Sequence, residues 1–121
     1  MNEEQILELN SSRQMGDLVA MKFMKWRRDG DHWVTPEGVW WKTEGLNGWY
    51  PWQYASPATW DVLEKLRAGF WCIEVHIADR CFVKAELLRT PPISIEVDSR
   101  DGIKGLPEAI CKAALLAKEC K

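Results

Sequence analysis

The side chains best suited to binding chemistry are concentrated in one segment, residues 38–54, which reads GVWWKTEGLNGWYPWQY. Four tryptophans and two tyrosines occur within these seventeen residues, and two arginines precede them. An aromatic ring can stack on a nucleotide base for roughly 1–3 kcal/mol, and a guanidinium can bind a phosphate through two parallel hydrogen bonds. The pattern therefore predicts a site for a small anionic, nucleotide-like ligand. The predicted site residues are Arg27, Arg28, His32, Trp40, Trp41, Trp49, Tyr50, Trp52 and Tyr54.

The same rings have two other interpretations, which the sequence leaves open. They could form a lid on the sheet or a contact between subunits, because aromatic side chains are enriched at protein interfaces. Trp40 and Trp41 are adjacent, so in a strand they point to opposite faces and at least one of them points away from its own sheet. We therefore expect a homo-oligomer with this segment at a subunit contact. The alternative partner is a host protein that binds the same aromatic patch.

Catalytic and metal chemistry find little support in the sequence. His76 and Glu74 share a strand face, and a histidine beside a carboxylate can do acid–base chemistry. A solvated strand face is the simpler interpretation, because charged side chains usually stay in water. The four cysteines include no C-x-x-C pair and predict no tetrahedral zinc set, and no phosphate-binding glycine loop is present. The sequence predicts a protein that is not an enzyme and that uses no metal or cofactor.

Composition narrows the class of protein further. A length of 121 residues is typical of a single domain. The formal net charge is −2 without a long run of one sign, which disfavours nucleic-acid binding because such affinity depends on neutralising phosphates. The acidic start, MNEEQILELN, is unlike a secretory signal, and no apolar run approaches the roughly 20 residues that span a bilayer. We expect a cytoplasmic protein without membrane contact, whose cysteines are buried or incidental thiols.

The first two regions of the chain are predicted as a helix and a β-meander. The helix is predicted over residues 12–28, and SSRQ at its start fits a capping box. Residues 29–55 form a Trp-rich insert with turn signals at TPEG and at NG. The insert has too few aliphatic residues to form a core by itself, so a small β-meander or an ordered loop is predicted there.

The remainder, residues 56–119, is predicted as an α-β-β-β-α core. SPATWDVLEKLRAG has a serine cap, a proline at the first helical position and a glycine stop. The last helix, LPEAICKAALLAKE, carries small alanines that allow it to lie close to a sheet. Trp60 on the first of these helices and Trp71 on the first strand have the spacing of core residues, and both are predicted to be buried.

Three strands are predicted over residues 70–77, 81–88 and 93–98. Apolar and polar side chains alternate along each of them. Because the strands must share an apolar face, the first two pair with Val75 opposite Val83, and with Glu74 opposite Lys84 as a favourable charge pair. The opposite face is polar and carries Glu74, His76, Lys84, Glu86, Ser94, Glu96 and Asp98.

Three segments, LVAMKFMKW, YASPATWDVLEKLRAGFW and LPEAICKAALLA, resemble the phage ABA sandwich domain family, small proteins encoded by bacteriophages and prophages. The resemblance covers most of the chain from Asp17 to Ala117. It implies an α-β-α sandwich. Together with the elements predicted above, the expected fold is α+β, an α-β-α sandwich with a three-stranded antiparallel sheet, flanking helices and a Trp-rich β-meander insert. The resemblance also implies a phage or prophage origin, but no particular activity.

Two consequences follow from this resemblance. The polar sheet face is unusual for a sandwich, so either the first helix covers it only partly or it meets solvent or a partner. A phage origin, combined with the aromatic and arginine residues, leads to the hypothesis of a protein that counteracts host defence by sequestering a nucleotide signal.

The order of elements in the predicted α-β-β-β-α core also occurs in double-stranded RNA-binding domains. Their phosphate-binding lysines are replaced here by Leu106, Pro107 and Glu108, which disfavours RNA binding.

Overall fold

The computed structural model describes residues 1–10, 12–38, 40–43, 45, 48–54, 56–69 and 71–120, apart from the side chains of Trp40 and Cys120. The helices are α1 (Glu3–Leu7), α2 (Arg13–Leu18), which continues into a π-helical turn (Val19–Phe23), α3 (Ala58–Ala68) and α4 (Leu106–Cys120). The strands are β1 (Arg27–Asp29), β2 (His32–Val34), β3 (Trp40–Lys42), β4 (Trp71–His76), β5 (Phe82–Leu87) and β6 (Ile93–Asp98). The predicted capping box at Ser11 and the turn signal at Asn47 lie outside the described residues.

The strands form two antiparallel sheets of three, in the orders β1-β2-β3 and β4-β5-β6. The second sheet has the predicted register, with Val75 opposite Val83 and Glu74 opposite Lys84. In the insert, the predicted turn joins β2 to β3, and the Gly38 amide donates to the Thr35 carbonyl at 2.9 Å. The α+β fold class with a three-stranded antiparallel sheet, flanking helices and Trp-rich strands is confirmed.

Helix α4 is the centre of the molecule. One side packs on β5 and β6, and its other sides contact α1, the π-helical turn and α3. Residues 109–117 are all buried, including Lys112, which is only 3% exposed. The Lys112 ammonium donates to the Leu7 carbonyl at 2.8 Å and forms an ion pair with Glu108 at 3.0 Å. Alanine side chains make this enclosure possible, because they let neighbouring backbones approach closely.

The polar face of the second sheet is open to solvent. Glu74, His76 and Asp98 are exposed there, and several surface ion pairs involve this face, for example Arg80 with Asp98. The imidazole Nε2 of His76 is hydrogen-bonded to the Glu74 carboxylate at 2.9 Å. The same ring stacks on Phe82, with ring centroids 4.1 Å apart. These side chains are therefore open to solvent or to a partner, as the second alternative for this face predicts.

The first helix ends earlier than residue 28. Lys25 has a positive φ of 62°, a left-handed conformation that interrupts a right-handed helix. The Trp26 amide donates back to the Ala20 carbonyl at 2.9 Å, and the chain then enters β1. Arg27 and Arg28 consequently lie on an edge strand of the first sheet rather than at a helix end.

Helix α3 has nearly the predicted limits but buries a different face. Its buried residues are Ala58, Thr59, Val62 and Leu66. The prediction for Trp60 is wrong, because this side chain is 72% exposed. The hydroxyl of Thr59 donates to the Pro51 carbonyl at 2.7 Å, which fixes the rotation of the first turn and directs the next residue outward. Trp71, 4% exposed, is a core residue as predicted.

Thiol labelling should distinguish the cysteines. Burial, with a smaller contribution from Glu108, raises the pKa of Cys111 well above its ordinary value, so almost none of it is reactive thiolate. Cys72 is exposed. We expect iodoacetamide to modify Cys72 in the native protein and Cys111 only in denaturant, as read by peptide mass spectrometry. Equal native labelling rates at the two residues would contradict this packing of α4, and Cys72→Ser provides the control.

Candidate ligand groove

Two indole rings of the insert, Trp41 and Trp49, form a packed row with the ring of Trp26. Trp49 lies in the middle of the row and is 2% exposed. Its ring centroid is 4.4 Å from that of Trp26 and 5.3 Å from that of Trp41, and both contacts are edge-on. The Trp49 indole nitrogen donates to the Gly16 carbonyl at 3.0 Å. Trp26 and Trp41 are therefore held at fixed positions from behind by a buried, hydrogen-bonded ring.

Glycine at position 16 allows the insert to dock on α2. A Cβ atom at Gly16 would lie 2.3 Å from Cζ3 of Trp52, closer than real contacts permit. The Trp52 ring in turn meets Tyr50 edge-on, with centroids 5.5 Å apart, and the Tyr50 hydroxyl accepts a hydrogen bond from the Gly45 amide at 2.6 Å. Trp52 thus attaches the insert to the helical layer, and Tyr50 supports Trp52 from within the insert.

An open groove lies between the insert and α3, next to the outer two indoles. We call it the insert groove. Its volume of about 480 Å³ falls within the roughly 300–1,000 Å³ typical of ligand sites. The insert side is lined by Met24, Trp26, Thr35, Pro36, Glu37 and Trp41, and the α3 side by Asp61, Glu64, Lys65 and Ala68.

Carboxylates dominate the charge of the insert groove. Among the described residues that line it, Glu37, Asp61 and Glu64 are acidic and Lys65 is basic, and Glu64 is also ion-paired with Arg67. Partial burial raises the pKa of Asp61 above its ordinary value, whereas a hydrogen bond from Arg67 lowers the pKa of Glu64. A raised pKa indicates a carboxylate that has lost part of its hydration, and a cation placed beside it would restore favourable interactions. The groove therefore favours a cationic guest.

The predicted arginines and histidine lie elsewhere. Arg27 and Arg28 are exposed on β1 and are not among the described residues that line the insert groove. The Arg28 Nε donates to the Gly30 carbonyl at 3.0 Å, and its guanidinium lies 5.7 Å from the Trp33 ring centroid. His32 is half-buried on β2, with Nδ1 2.7 Å from a carboxylate oxygen of Asp31.

The predicted aromatic residues separate into distinct roles. Trp41 is half-buried and lines the insert groove, whereas Trp49 lies behind it in the core. Trp52 packs the insert against α2 and Tyr50 packs on Trp52, whereas Tyr54 is 57% exposed beside a different groove. Trp40 pairs with Val34 across the sheet, and its side chain lies outside the described part of the chain. The structure therefore brings Trp41 to a groove without the arginines.

Sequence reasoning missed the α3 wall of this groove, although a signal was present. Its residues Glu64, Lys65 and Ala68 follow Asp61 by three, four and seven positions. All four therefore share one helix face. What the sequence could not show is that this face lies opposite Trp41.

A second groove, which we call the corner groove, lies where α3, β4 and the start of α4 diverge. Its volume is about 380 Å³, and most of its lining is apolar. The side chains at its rim are exposed: Trp60 by 72%, Ile103 by 45% and Val75 by 42%. This surface also escaped the sequence analysis, because Trp60 was assigned to the core.

The fold and the two grooves define a small α+β protein with an aromatic, acidic groove and a separate apolar one. Among solved structures, a phage protein from Bacillus cereus ATCC 14579 is similar to this chain, with 20% identity, a TM-score of 0.56 and 94% of each chain covered. Neither a family model nor a curated protein matches. The predicted family resemblance is thus supported coarsely, as a fold shared with a phage protein.

Two further findings concern the described part of the chain. None of its helices combines the length and the apolar character needed to cross a bilayer. Its histidine, cysteine, aspartate and glutamate side chains include no group of three or more that could hold a metal ion.

Proposed function

We propose that this protein is a non-enzymatic binding protein of phage or prophage origin that blocks a host protein by holding one of its basic side chains in the insert groove. The observation that carries the proposal is the combination of Trp26 and Trp41 with three carboxylates around one groove. The fold shared with a phage protein supports the proposed origin.

The aromatic wall and the acidic rim act on the same guest. A guanidinium or ammonium over an indole face gains about 0.5–1 kcal/mol at exposed sites and about 2 kcal/mol or more when desolvated. Asp61, already partly desolvated, adds charge attraction to such a guest. Because Trp49 fixes both rings from behind, little ordering of the site is required on binding.

The charge of the groove opposes the hypothesis of a sequestered nucleotide. A phosphate placed beside Trp41 would meet Glu37 and Asp61, and the arginines expected to bind it lie on β1. Like charges within one groove disfavour binding. An adaptor that binds a basic side chain therefore has better support than a nucleotide sponge.

A titration with N-acetyl-arginine methylamide tests this proposal. We expect it to shift the indole N–H signals of Trp26 and Trp41 in ¹H–¹⁵N spectra. Trp41→Ala should weaken binding by about tenfold, corresponding to about 1.4 kcal/mol, and Asp61→Asn should weaken it by a smaller factor. Trp60→Ala, which changes an exposed indole outside the insert groove, is the matched control and should leave the affinity unchanged.

Two results would contradict the proposal. If cyclic nucleotides produce saturable shifts that disappear in Arg27→Ala and Arg28→Ala, while the arginine amide produces none, the nucleotide hypothesis replaces the adaptor. If Trp60→Ala abolishes binding of the arginine amide and Trp41→Ala does not, the binding site is not the insert groove.

A further inference from the structure

The edge of the second sheet carries apolar side chains that one chain leaves exposed. Strand β4 lies at an edge of the order β4-β5-β6. Along the row that faces the helices, Trp71 is 4% exposed, but Val75 is 42% exposed and Ile77, just after the strand, is 61% exposed. At the opposite edge, the corresponding row of β6 is covered, since Ile95 and Val97 are buried. The two edges therefore differ, and β4 has the uncovered one.

Strand β4 also lacks two of the usual protections of an exposed edge, a proline and a bulge. It is six residues long, WCIEVH, without proline or glycine. Within the described ranges, β5 is the only strand or bridge that pairs with it. Natural edges are commonly protected by short length, proline or a bulge, because an unprotected edge offers backbone donors and acceptors to another strand. The free side of β4 can therefore accept a further strand.

We propose that β4 pairs antiparallel with β4 of a second copy of this chain, about a two-fold axis at Val75. This register places Ile73 opposite Ile77 of the second copy on the apolar row. On the polar row, it places Glu74 opposite His76 of the second copy. These two groups are complementary, and they already form a 2.9 Å hydrogen bond within one chain.

Neighbouring registers fit less well. An axis at Glu74 would set two glutamates directly opposite each other, and like charges in that position are destabilising. An axis at His76 would set Glu74 opposite Ala78 and lose the contact between Glu74 and His76. The axis at Val75 is favoured because it satisfies both rows of the strand at once.

The corner groove continues this surface. Val75 lines the groove together with Trp60 and Leu63. In the proposed pairing, Val75 lies opposite Val75 of the second copy, so the edges of the two corner grooves meet at the axis. Adding a strand to an edge that adjoins an apolar groove is a recurrent mode of protein association. It would also produce the homo-oligomer expected from the sequence, but with its contact at β4 instead of the insert.

Sedimentation equilibrium of the full chain without ligand tests the dimer. We expect a mass of twice 14.0 kDa. Val75→Lys sets two ammonium groups opposite each other at the axis, and His76→Glu sets glutamates opposite each other, so each should weaken the dimer by at least about tenfold. Exchanging the pair, in Glu74→His with His76→Glu, restores complementarity and should restore the dimer.

Three results would overturn the proposal. The first is a wild-type chain that stays monomeric at millimolar concentration. The second is a dimer that Val75→Lys and His76→Glu both leave intact. The third is a dimer that Trp41→Ala dissociates, which would place the contact at the insert. Thermal unfolding checks each variant, and the exchanged pair keeps the test decisive if Val75→Lys does not fold, because Glu74 and His76 are exposed.

Discussion

Replacing Trp49 by alanine is expected to lower the free energy of unfolding by about 3–5 kcal/mol. The side chain is 2% exposed and supports Trp26 and Trp41 from behind. Its removal leaves a cavity that neither neighbouring ring can fill without breaking its other contacts, and it leaves the Gly16 carbonyl without its indole donor. Urea unfolding followed by far-UV circular dichroism measures the loss.

Two matched variants separate the contributions to this effect. Trp49→Phe keeps most of the packing but removes the indole N–H, so it should cost about 0.5–1.5 kcal/mol for the lost hydrogen bond, because the Gly16 carbonyl still accepts from the Val19 amide. Trp60→Ala removes an indole that is 72% exposed and should change stability by less than about 0.5 kcal/mol. A Trp49→Ala protein as stable as Trp60→Ala would show that the indole row does not support the fold.

The second large effect is expected from Lys112→Met. This lysine is 3% exposed and joins the Leu7 carbonyl to the Glu108 carboxylate. Methionine fills a similar volume but leaves a largely buried carboxylate without its cation, which typically costs about 3–5 kcal/mol. We expect a loss of this size in urea unfolding, together with increased amide hydrogen exchange in α1, because Lys112 helps to hold that helix on α4.

The control removes both charges. The double variant Glu108→Leu with Lys112→Met should recover much of the loss, because replacing a buried ion pair by apolar side chains is often neutral or stabilising. Lys118→Met, on the same helix but half-buried, should have little effect. If the double variant is as unstable as Lys112→Met alone, the contact with Leu7 and not the charge pair determines the loss.

The second sheet was the most predictable part of the fold. Alternation along β4 and β5 and the Glu74–Lys84 pair were sufficient to place the register correctly, because a shift by one residue would turn every apolar side chain outward. The limits of α3 were also accessible from its serine, proline and glycine signals. Such local patterns determine where elements begin and which faces they present to a sheet.

Features that depend on contacts between distant residues were not accessible in this way. Trp60 has the spacing of a core residue, and only the hydrogen bond from Thr59 to Pro51 shows why the helix is rotated to expose it. The early end of the first helix depends on Lys25 in a left-handed conformation and on Trp26 packing against Trp49. Hydrophobic periodicity predicts neither the exposure of Trp60 nor the early end of the first helix.

The candidate site shows the same division. The sequence correctly indicated that some insert rings remain outside the core, and Trp41 is one of them. It associated that ring with Arg27 and Arg28, which are near in the chain, whereas the neighbours that set the groove's charge are Asp61 and Glu64 on α3. Proximity in sequence predicted a positive environment, and tertiary packing produces a negative one.

The enclosure of α4 has a consequence for how the chain acquires its structure. This helix is the last element along the chain described here, and α1, the π-helical turn, α3, β5 and β6 all rest on it. The Leu7–Lys112 hydrogen bond spans 105 positions. Because these elements are synthesised before α4, we expect the apolar surfaces that they pack against it to stay uncovered until the helix has been made.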